Sequence, residues 1–467
     1  MVETEIASSL ARSVIDTNYG DLPAETVAVV KQHILHTLAA ALGGGDAPGC
    51  KMVVDVVREW GGKAEGTVLV YGGKVPAVNA ALANSTMAHA RDFCCNDDRT
   101  FYKTSVVVIP AVLAAAEKRG GVTGRELITA ACLGIELGIR IALAIVPSPA
   151  HALSPMIGSL ASAAGVARIL GLDQEQVLDA LGIAYCQVSA SGTSTTSPAL
   201  TKRLGPGLAA KAGVFSAELA LKGFKGVRKV LQGPTGYFCT YHGVEGNLES
   251  LAADLGRRWE IVEVGPKGYP CCRRVHGPID ATLALVREHD LRAEDVEAVN
   301  VRGSRRNLYP SSAEATPETQ FARRHPRGVV DAQFSIPWGV ATALLKRKVF
   351  IEDFSEEALE DGAVQRMADA VTLTVDPLLD NTSTMVTPVV VELRTRGGQT
   401  LSHRVDFPKG NPRNPVDVAE TRENFRKCAA RAAEHVSPVN AERALDLLDH
   451  LEEIDDVGRL PEYLSDA

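Results

Sequence analysis

Three segments place titratable side chains inside sequence that is otherwise small or apolar. The first is His89-Ala-Arg-Asp92-Phe-Cys-Cys-Asn-Asp-Asp98, which leaves an apolar helical pattern over 76–91. Asp92 at that helix end could act as a general base, because partial burial lifts a carboxylate pKa toward the working pH. It could equally cap the helix or pair with Arg91. The second, SGTSTTSPALTKRLGPGLAAKAG (191–213), leads through Lys202 into a small-residue helix expected over 207–222. Its backbone donors and Lys202 could hold a carboxylate or a phosphate, although an ordinary loop has the same composition. The third, GPKGYPCCRRVHGPIDA (265–281), crowds Lys267, Arg273, Arg274 and His276 into one turn-like segment. It lies where the pattern of the chain changes, and domain junctions favour small-molecule pockets. A solvated basic loop is the alternative there.

Other chemistries lack their signatures. The sequence contains no GxxxxGK[ST], no strand-led GxGxxG, no HExxH and no GxSxG elbow. Its 11 histidines are dispersed, with no pair at metal-ligand spacing beside carboxylates, so neither a metal nor an organic cofactor is expected. The nine cysteines form no disulfide framework, and the adjacent pairs Cys94-Cys95 and Cys271-Cys272 have the wrong spacing for zinc or dithiol sites. Reduced, buried thiols are the reading.

The elements that must position these groups fall into two kinds. Up to about residue 264, apolar residues recur at helical spacing over 23–43, 76–91, 106–119, 123–146, 156–170, 174–190 and 207–222. Several of these helices are apolar on most sides and rich in Ala and Gly, so neighbouring helices must surround them. After Gly265 the period becomes two, in VEAVNVRG (296–303), AVTLTVDP (370–377) and VVVELRTRGGQTLSHRVDF (389–407), with helices expected at 278–290 and 334–346. Charged helices return at 416–434 and 438–452. The fold class is therefore mainly α: a helical domain built from 1–264 and 410–467, with a smaller α+β domain inserted at 265–409.

The 467 residues are 45% hydrophobic and 23% charged, a globular composition. A net charge of −8 gives no basic footprint for nucleic acid or an anionic membrane. The start MVETEIASSLARSVID is acidic and amphipathic, unlike a signal peptide, and the apolar region 127–146 carries Glu136 and Arg140. The expectation is a soluble, cytoplasmic protein. The helices at 156–170 and 207–222 are apolar on more sides than one core requires, which points to a homodimer.

Six pieces carry a resemblance: AALANSTMAHARDF, ASAAGVARILGLDQEQVLDALGIA, TKRLGPGLAAKAGVFSAELALKGFKG, KGYPCCRRVHGPIDA, DAQFSIPWGVATALL and GNPRNP before a charged helix. In this order, over four hundred residues, they are similar to the MmgE/PrpD family. The resemblance implies a large helical domain completed by both chain ends, an α+β lid and a homodimer. It also implies a cofactor-independent reaction on a di- or tricarboxylate, through a carbanion-like centre beside a carboxylate. Known activities of the family include 2-methylcitrate dehydratase, cis-aconitate decarboxylase and iminodisuccinate epimerase.

Carried over by position, Asp92 matches the leading aspartate of the family's HxxDFDD segment. Lys202 matches the lysine before the small-residue helix, Lys267 the lysine of K-x-[YF]-P-x-C, and His276 the histidine closing that segment. His151 lies near the family's pocket histidine, and Tyr309 near its lid tyrosine. Two departures stand out: Cys94-Cys95 replaces an acidic pair, and Lys103 stands where a histidine is common. The implied catalytic set is Asp92, Lys103, His151, Lys202, Lys267 and Tyr309, with His89, Tyr102, Arg273 and His276 as substrate contacts. The implied activity is a lyase, with dehydration leading. Epimerisation, decarboxylation and a non-catalytic carboxylate-binding protein are the alternatives.

Overall fold

The computed structural model describes residues 2–145, 153–190, 199–309, 316–380, 384–434 and 436–465. Its chain divides into two compact units, one formed by Met1–Pro266 with Asp417–Ala467 and the other by Lys267–Val416.

The first unit is helical. Its elements are α1 (Val2–Asp16), α2 (Ala24–Gly44), α3 (Cys50–Trp60), α4 (Ala77–Ala90), α5 (Ser105–Arg119), α6 (Gly124–Leu143), α7 (Leu153–Leu170), α8 (Gln174–Tyr185), α9 (Thr201–Leu221), α10 (Tyr237–His242) and α11 (Leu248–Ala252). A two-stranded ribbon, β1 (Gly66–Thr67) with β2 (Lys74–Val75), precedes α4. α7 is the central helix, packed on α5, α6, α8 and α9. All its residues from 156 to 167 are buried. Its apolar circumference is therefore satisfied by its own chain, which removes the reason for placing this helix at a subunit boundary.

The small residues let backbones approach. A Cβ on Gly207 would stand 2.2 Å from Thr86 Oγ1 of α4, and one on Gly213 2.1 Å from Ser162 Oγ of α7. α9 thus lies close against both helices, and side chains there would force it outward. α9 begins at Thr201, six residues before the start expected from the sequence. Pro206 stands one turn inside, where its missing N–H costs a single backbone bond. That shift puts Lys202 in the first turn of α9.

The second unit carries a four-stranded sheet of order β4-β3-β5-β6, formed by β3 (Val296–Gly303), β4 (Val371–Val375), β5 (Val389–Thr395) and β6 (Thr400–Val405). β3 pairs parallel with β4 and antiparallel with β5, and β5 pairs antiparallel with β6. β5 alternates buried with less buried residues, as a sheet covered on one face requires. The cover is α12 (Arg273–Glu288), with α16 (Ile336–Lys346) behind it. α12 also starts early, with Pro278 inside it. Gly277 permits this, since a Cβ there would stand 2.9 Å from Val389 Cγ2 of β5. Arg273, Arg274 and His276 are consequently helical, not part of a turn. Between these helices lie α13 (Arg305–Leu308), α14 (Pro317–Arg324) and α15 (Val329–Gln333); α17 (Glu356–Leu359) and α18 (Gly362–Asp369) follow.

The chain then returns to the first unit through α19 (Val418–Ala430), which packs on α2, and α20 (Pro438–Asp449). Among the described residues, no helix is long and apolar enough to cross a membrane.

Candidate active site

Asp92 follows the Arg91 C-cap of α4 in a left-handed conformation (φ 52°), with its N–H donating to the His89 carbonyl at 3.0 Å. Aspartate tolerates that region better than most residues, and strained backbone of this kind clusters at functional sites. The conformation turns the chain sharply off the helix. Asp92 is 2% exposed, and Lys202 Nζ donates to its Oδ1 at 2.8 Å. Arg91 points elsewhere: its Nη2 donates to Asp46 Oδ1 at 2.6 Å and its Nε to the Gly43 carbonyl. The sequence left Asp92 open to an Arg91 pair; the structure gives it a salt bridge with Lys202, from a different helix.

The turn that carries Asp92 continues to Lys103 and is clamped from below. Asp97, fully buried, accepts from Arg99 Nε at 3.0 Å and from the Arg99 backbone N–H at 2.9 Å. Arg99 Nη1 in turn donates to Glu260 Oε2 at 2.5 Å. The backbone N–H groups of Glu260 and Ile261 donate to Glu136 of α6, which also accepts from Arg140 Nε at 2.7 Å. Asn96 N–H adds a bond to the Gly265 carbonyl at 3.1 Å. Sequence inspection missed this clamp. Asp97 and Arg99 are visible as charges next to Asp92, but Glu260 is 161 residues from Arg99 and nothing local marks the pair.

Lys103 lies at the far end of the turn, with its backbone N–H donating to Ser154 Oγ at 3.0 Å. Its ammonium donates to the Phe101 carbonyl at 2.9 Å and stands 5.7 Å from the Phe101 ring centroid. Phe101 has φ 60°, a second left-handed residue in the same turn. Tyr102 is fully buried, and burial pushes its phenol pKa up. A Cβ on Gly138 of α6 would meet the Tyr102 hydroxyl oxygen at 2.6 Å. Tyr102 therefore stays protonated and serves as packing beneath the turn. His89, in the last turn of α4, is buried with its Nδ1 3.6 Å from Cys94 Sγ. His151 lies outside the described residues.

The remaining candidates belong to the second unit. Lys267 is 1% exposed, and its ammonium donates to the Cys271 carbonyl at 2.9 Å. His276 Nε2 lies 3.4 Å from the same carbonyl, while its Nδ1 lies 3.1 Å from Arg273 Nη1. Burial, then Arg273 and Lys267, hold the His276 pKa well below the usual range. A neutral ring accepting at Nδ1 and donating at Nε2 satisfies both contacts. His276 thus orients the lysine segment. Arg273 donates to the Lys409 carbonyl and to the Pro408 carbonyl at 3.1 Å, so its guanidinium braces its own unit. Tyr309 is 2% exposed, with the Arg323 guanidinium 5.6 Å from its ring centroid. Among the described residues no three His, Cys, Asp or Glu side chains gather as a metal site.

Comparison with known proteins gives this arrangement a context. The MmgE/PrpD N-terminal domain matches residues 8–246 and the MmgE/PrpD C-terminal domain matches residues 269–453. The chain is 26% identical over 462 residues to cis-aconitate decarboxylase of Aspergillus terreus, covering 95% of this chain and 93% of that protein. It is 26% identical over 482 residues to human cis-aconitate decarboxylase, covering 99% and 95%. The cis-aconitate decarboxylase-like protein oryM of Aspergillus oryzae is 25% identical over 447 residues, covering 92% and 91%. With both family domains matched in order along its length, this chain belongs to the MmgE/PrpD family.

Proposed function

We propose that the protein is a lyase acting on a small di- or tricarboxylic acid, through a carbanion-like centre next to a carboxylate. The observation that carries this reading is the buried Asp92–Lys202 contact at 2.8 Å. An ammonium at that distance favours the ionised carboxylate, the form a base requires. The same ammonium is a counter-charge of the kind a substrate carboxylate needs as its α-carbon loses a proton.

In the dehydration reading, Asp92 as carboxylate, or Lys103 as its neutral amine, takes the proton α to the carboxylate. That electron pair forms the double bond as the β-hydroxyl leaves, protonated by a general acid for which His151 is the candidate, to give water. Decarboxylation is the second reading, favoured by the names of the relatives. There the bond to the departing carbon dioxide breaks, its electron pair stays on the substrate carbon, and a donor protonates that carbon. Lys103 suits that donor role. We also propose a homodimer whose interface uses the exposed apolar side chains of α3 and α9.

Incubation in heavy water with cis-aconitate, 2-methylcitrate and related acids, followed by NMR, separates the outcomes. Loss of water with or without deuterium at the α-carbon supports dehydration, and loss of carbon dioxide with deuterium retained in the product supports decarboxylation. Deuterium incorporation with inverted configuration alone would move the assignment to epimerisation. No change with any acid, in protein shown to be folded, would remove the reading.

A further inference from the structure

The second unit gathers arginines around one buried phenol. Tyr309 follows α13 with its backbone N–H donating to the Arg305 carbonyl at 2.8 Å, and it is 2% exposed. The Arg323 guanidinium, in the last turn of α14, lies over its ring at 5.6 Å from the centroid. Ser335 Oγ donates to the Arg323 carbonyl at 2.5 Å and fixes that helix end. Burial raises the Tyr309 pKa, and the charges of Arg323, Arg305 and Arg324 oppose it. Arg274 of α12 adds a further positive charge, since burial and then Arg274 pull the Arg323 pKa down. Other arginines of this unit are neutralised at short range, Arg302 by Asp376 at 2.6 Å and Arg306 by Asp380 at 2.7 Å. Among the described residues, no carboxylate stands within ion-pair distance of Arg305, Arg323 or Arg324. A chain of net charge −8 has carboxylates to spare, so composition does not force this gathering.

The hydrogen-bonding groups are as one-sided as the charges. Tyr309 Oη and Arg323 Nε are buried, and among the described residues neither finds a hydrogen-bond partner. Gln320 approaches the phenol outside hydrogen-bond geometry. A guanidinium only donates, so no arginine can take the phenol proton. Both atoms call for an acceptor that carries negative charge and has lone pairs for several donors. A carboxylate or a phosphate group meets that need, and a guanidinium fork matches either one. We propose that Tyr309 and Arg323, with Arg305 and Arg324 beside them, form an oxyanion site in the second unit for a carboxylate or phosphate group of a small ligand. The protonated phenol and Arg323 donate to the oxyanion, while Arg305 and Arg324 supply charge. That the group is a carboxylate of substrate or product rests on the lyase reading; the site itself does not.

The test uses the full-length protein labelled with 15N-arginine, the Arg323 Nε–H signal being identified by its loss in Arg323→Lys. Tricarballylate, which has no hydroxyl to lose and no double bond to protonate, and inorganic phosphate are titrated separately at constant ionic strength. The expected result is a shift of that signal that saturates with tricarballylate below about 10 mM, the weak end of specific binding. Saturation by phosphate alone also supports the site and makes phosphate its ligand. Tyr309→Phe is expected to weaken binding about fivefold, the worth of one hydrogen bond, and Arg305→Gln combined with Arg324→Gln about tenfold. Arg305 is exposed, so Arg305→Gln alone, expected to weaken binding about threefold, decides if the other variants do not fold. A signal that neither anion shifts, or affinities unchanged in all of these variants, overturns the inference. Absence of turnover with any acid would count against the lyase reading alone, since the nitrogen signal needs no reaction.

Discussion

Lys202 and Asp92 are 110 residues apart in sequence, yet the lysine ammonium donates to the aspartate Oδ1 at 2.8 Å. The contact depends on two local irregularities, the left-handed backbone at Asp92 and the early start of α9. Asp92→Asn keeps the shape and removes the base, so kcat is expected to fall at least about a hundredfold, the low end for losing a general base. Lys202→Ala is expected to raise KM and also to destabilise the fold by about 3 kcal/mol, because a buried carboxylate loses its counter-ion. Urea titration of the two single variants and the double variant checks the pairing. The double should recover part of the Lys202→Ala loss, and strictly additive losses would show that the pair is not coupled.

Lys103 tests whether the substitution peculiar to this chain carries chemistry. Its ammonium is held by the Phe101 carbonyl, in a turn with two left-handed residues. Lys103→Met is expected to abolish turnover with an unchanged circular dichroism spectrum. Lys103→His should restore measurable turnover with cis-aconitate, the substrate in the relatives' names. Full activity in Lys103→Met would return the acid–base role to other groups.

The Arg99 clamp predicts an effect on stability and on rate together. Asp97 is fully buried, and Arg99 joins it to Glu260. Arg99→Ala should cost about 3–5 kcal/mol, the usual result of breaking a buried pair from one side. It should lower kcat too, because the turn bearing Asp92 and Lys103 loses its anchor. A melting curve and a Michaelis profile on one preparation would check this, and a destabilised variant of full activity would disconnect the clamp from the site.

The sequence made legible what depends on local period. The helical grammar up to residue 264, the switch to alternating strands and the return to charged helices all correspond to observed elements. Local rules erred where packing overrode them. The helices expected from 207 and from 278 begin earlier, because Gly207 and Gly277 allow them to pass close beneath their neighbours. The apolar circumference of α7 read as an intersubunit surface, because a single sequence does not distinguish helices of the same chain from those of a second copy. At the site, Asp92 and Lys202 stood out as charges in small-residue surroundings. Their bond did not, nor did the Cys94–His89 contact or the reach of Arg99 to Glu260, since these partners are set by tertiary packing. Arg273 and His276 were visible for the same reason, and their side chains point to backbone carbonyls and to each other.

His33 gives a pH prediction with a definite sign. It is fully buried in α2, with Nε2 3.0 Å from the Val264 carbonyl, and desolvation pulls its pKa from 6.5 down to about 4. Between those values the unfolded chain binds a proton that the folded chain refuses, so stability rises with pH across the window. Going the other way, about 3 kcal/mol is lost between neutral pH and pH 4. His33→Gln removes this contribution, whatever its cost at neutral pH. The urea midpoint of the variant should therefore fall less steeply than wild type from pH 7 to pH 4; parallel curves would place the acid sensitivity elsewhere.

The remaining prediction concerns the second copy of the chain. α3 exposes Met52, Val56 and Trp60 at four-residue spacing, with 68%, 41% and 56% exposure. α9 exposes Leu208 and Phe215, at 44% and 46%. The two helices adjoin, since Lys211 Nζ lies 4.9 Å from the Trp60 ring centroid and a Cβ on Gly49 would stand 3.0 Å from Leu200 Cδ1. Large apolar side chains gathered on one face mark an association surface, and a two-fold interface would bury the same stripe on both partners. Sedimentation equilibrium is expected to give a dimer at micromolar concentration and a melting temperature that rises with protein concentration. Trp60→Glu with Phe215→Glu should yield a folded monomer, because each change places two charges at the centre of the contact. A wild-type chain that sediments as a monomer, or a double variant that remains fully dimeric, would remove this surface from consideration.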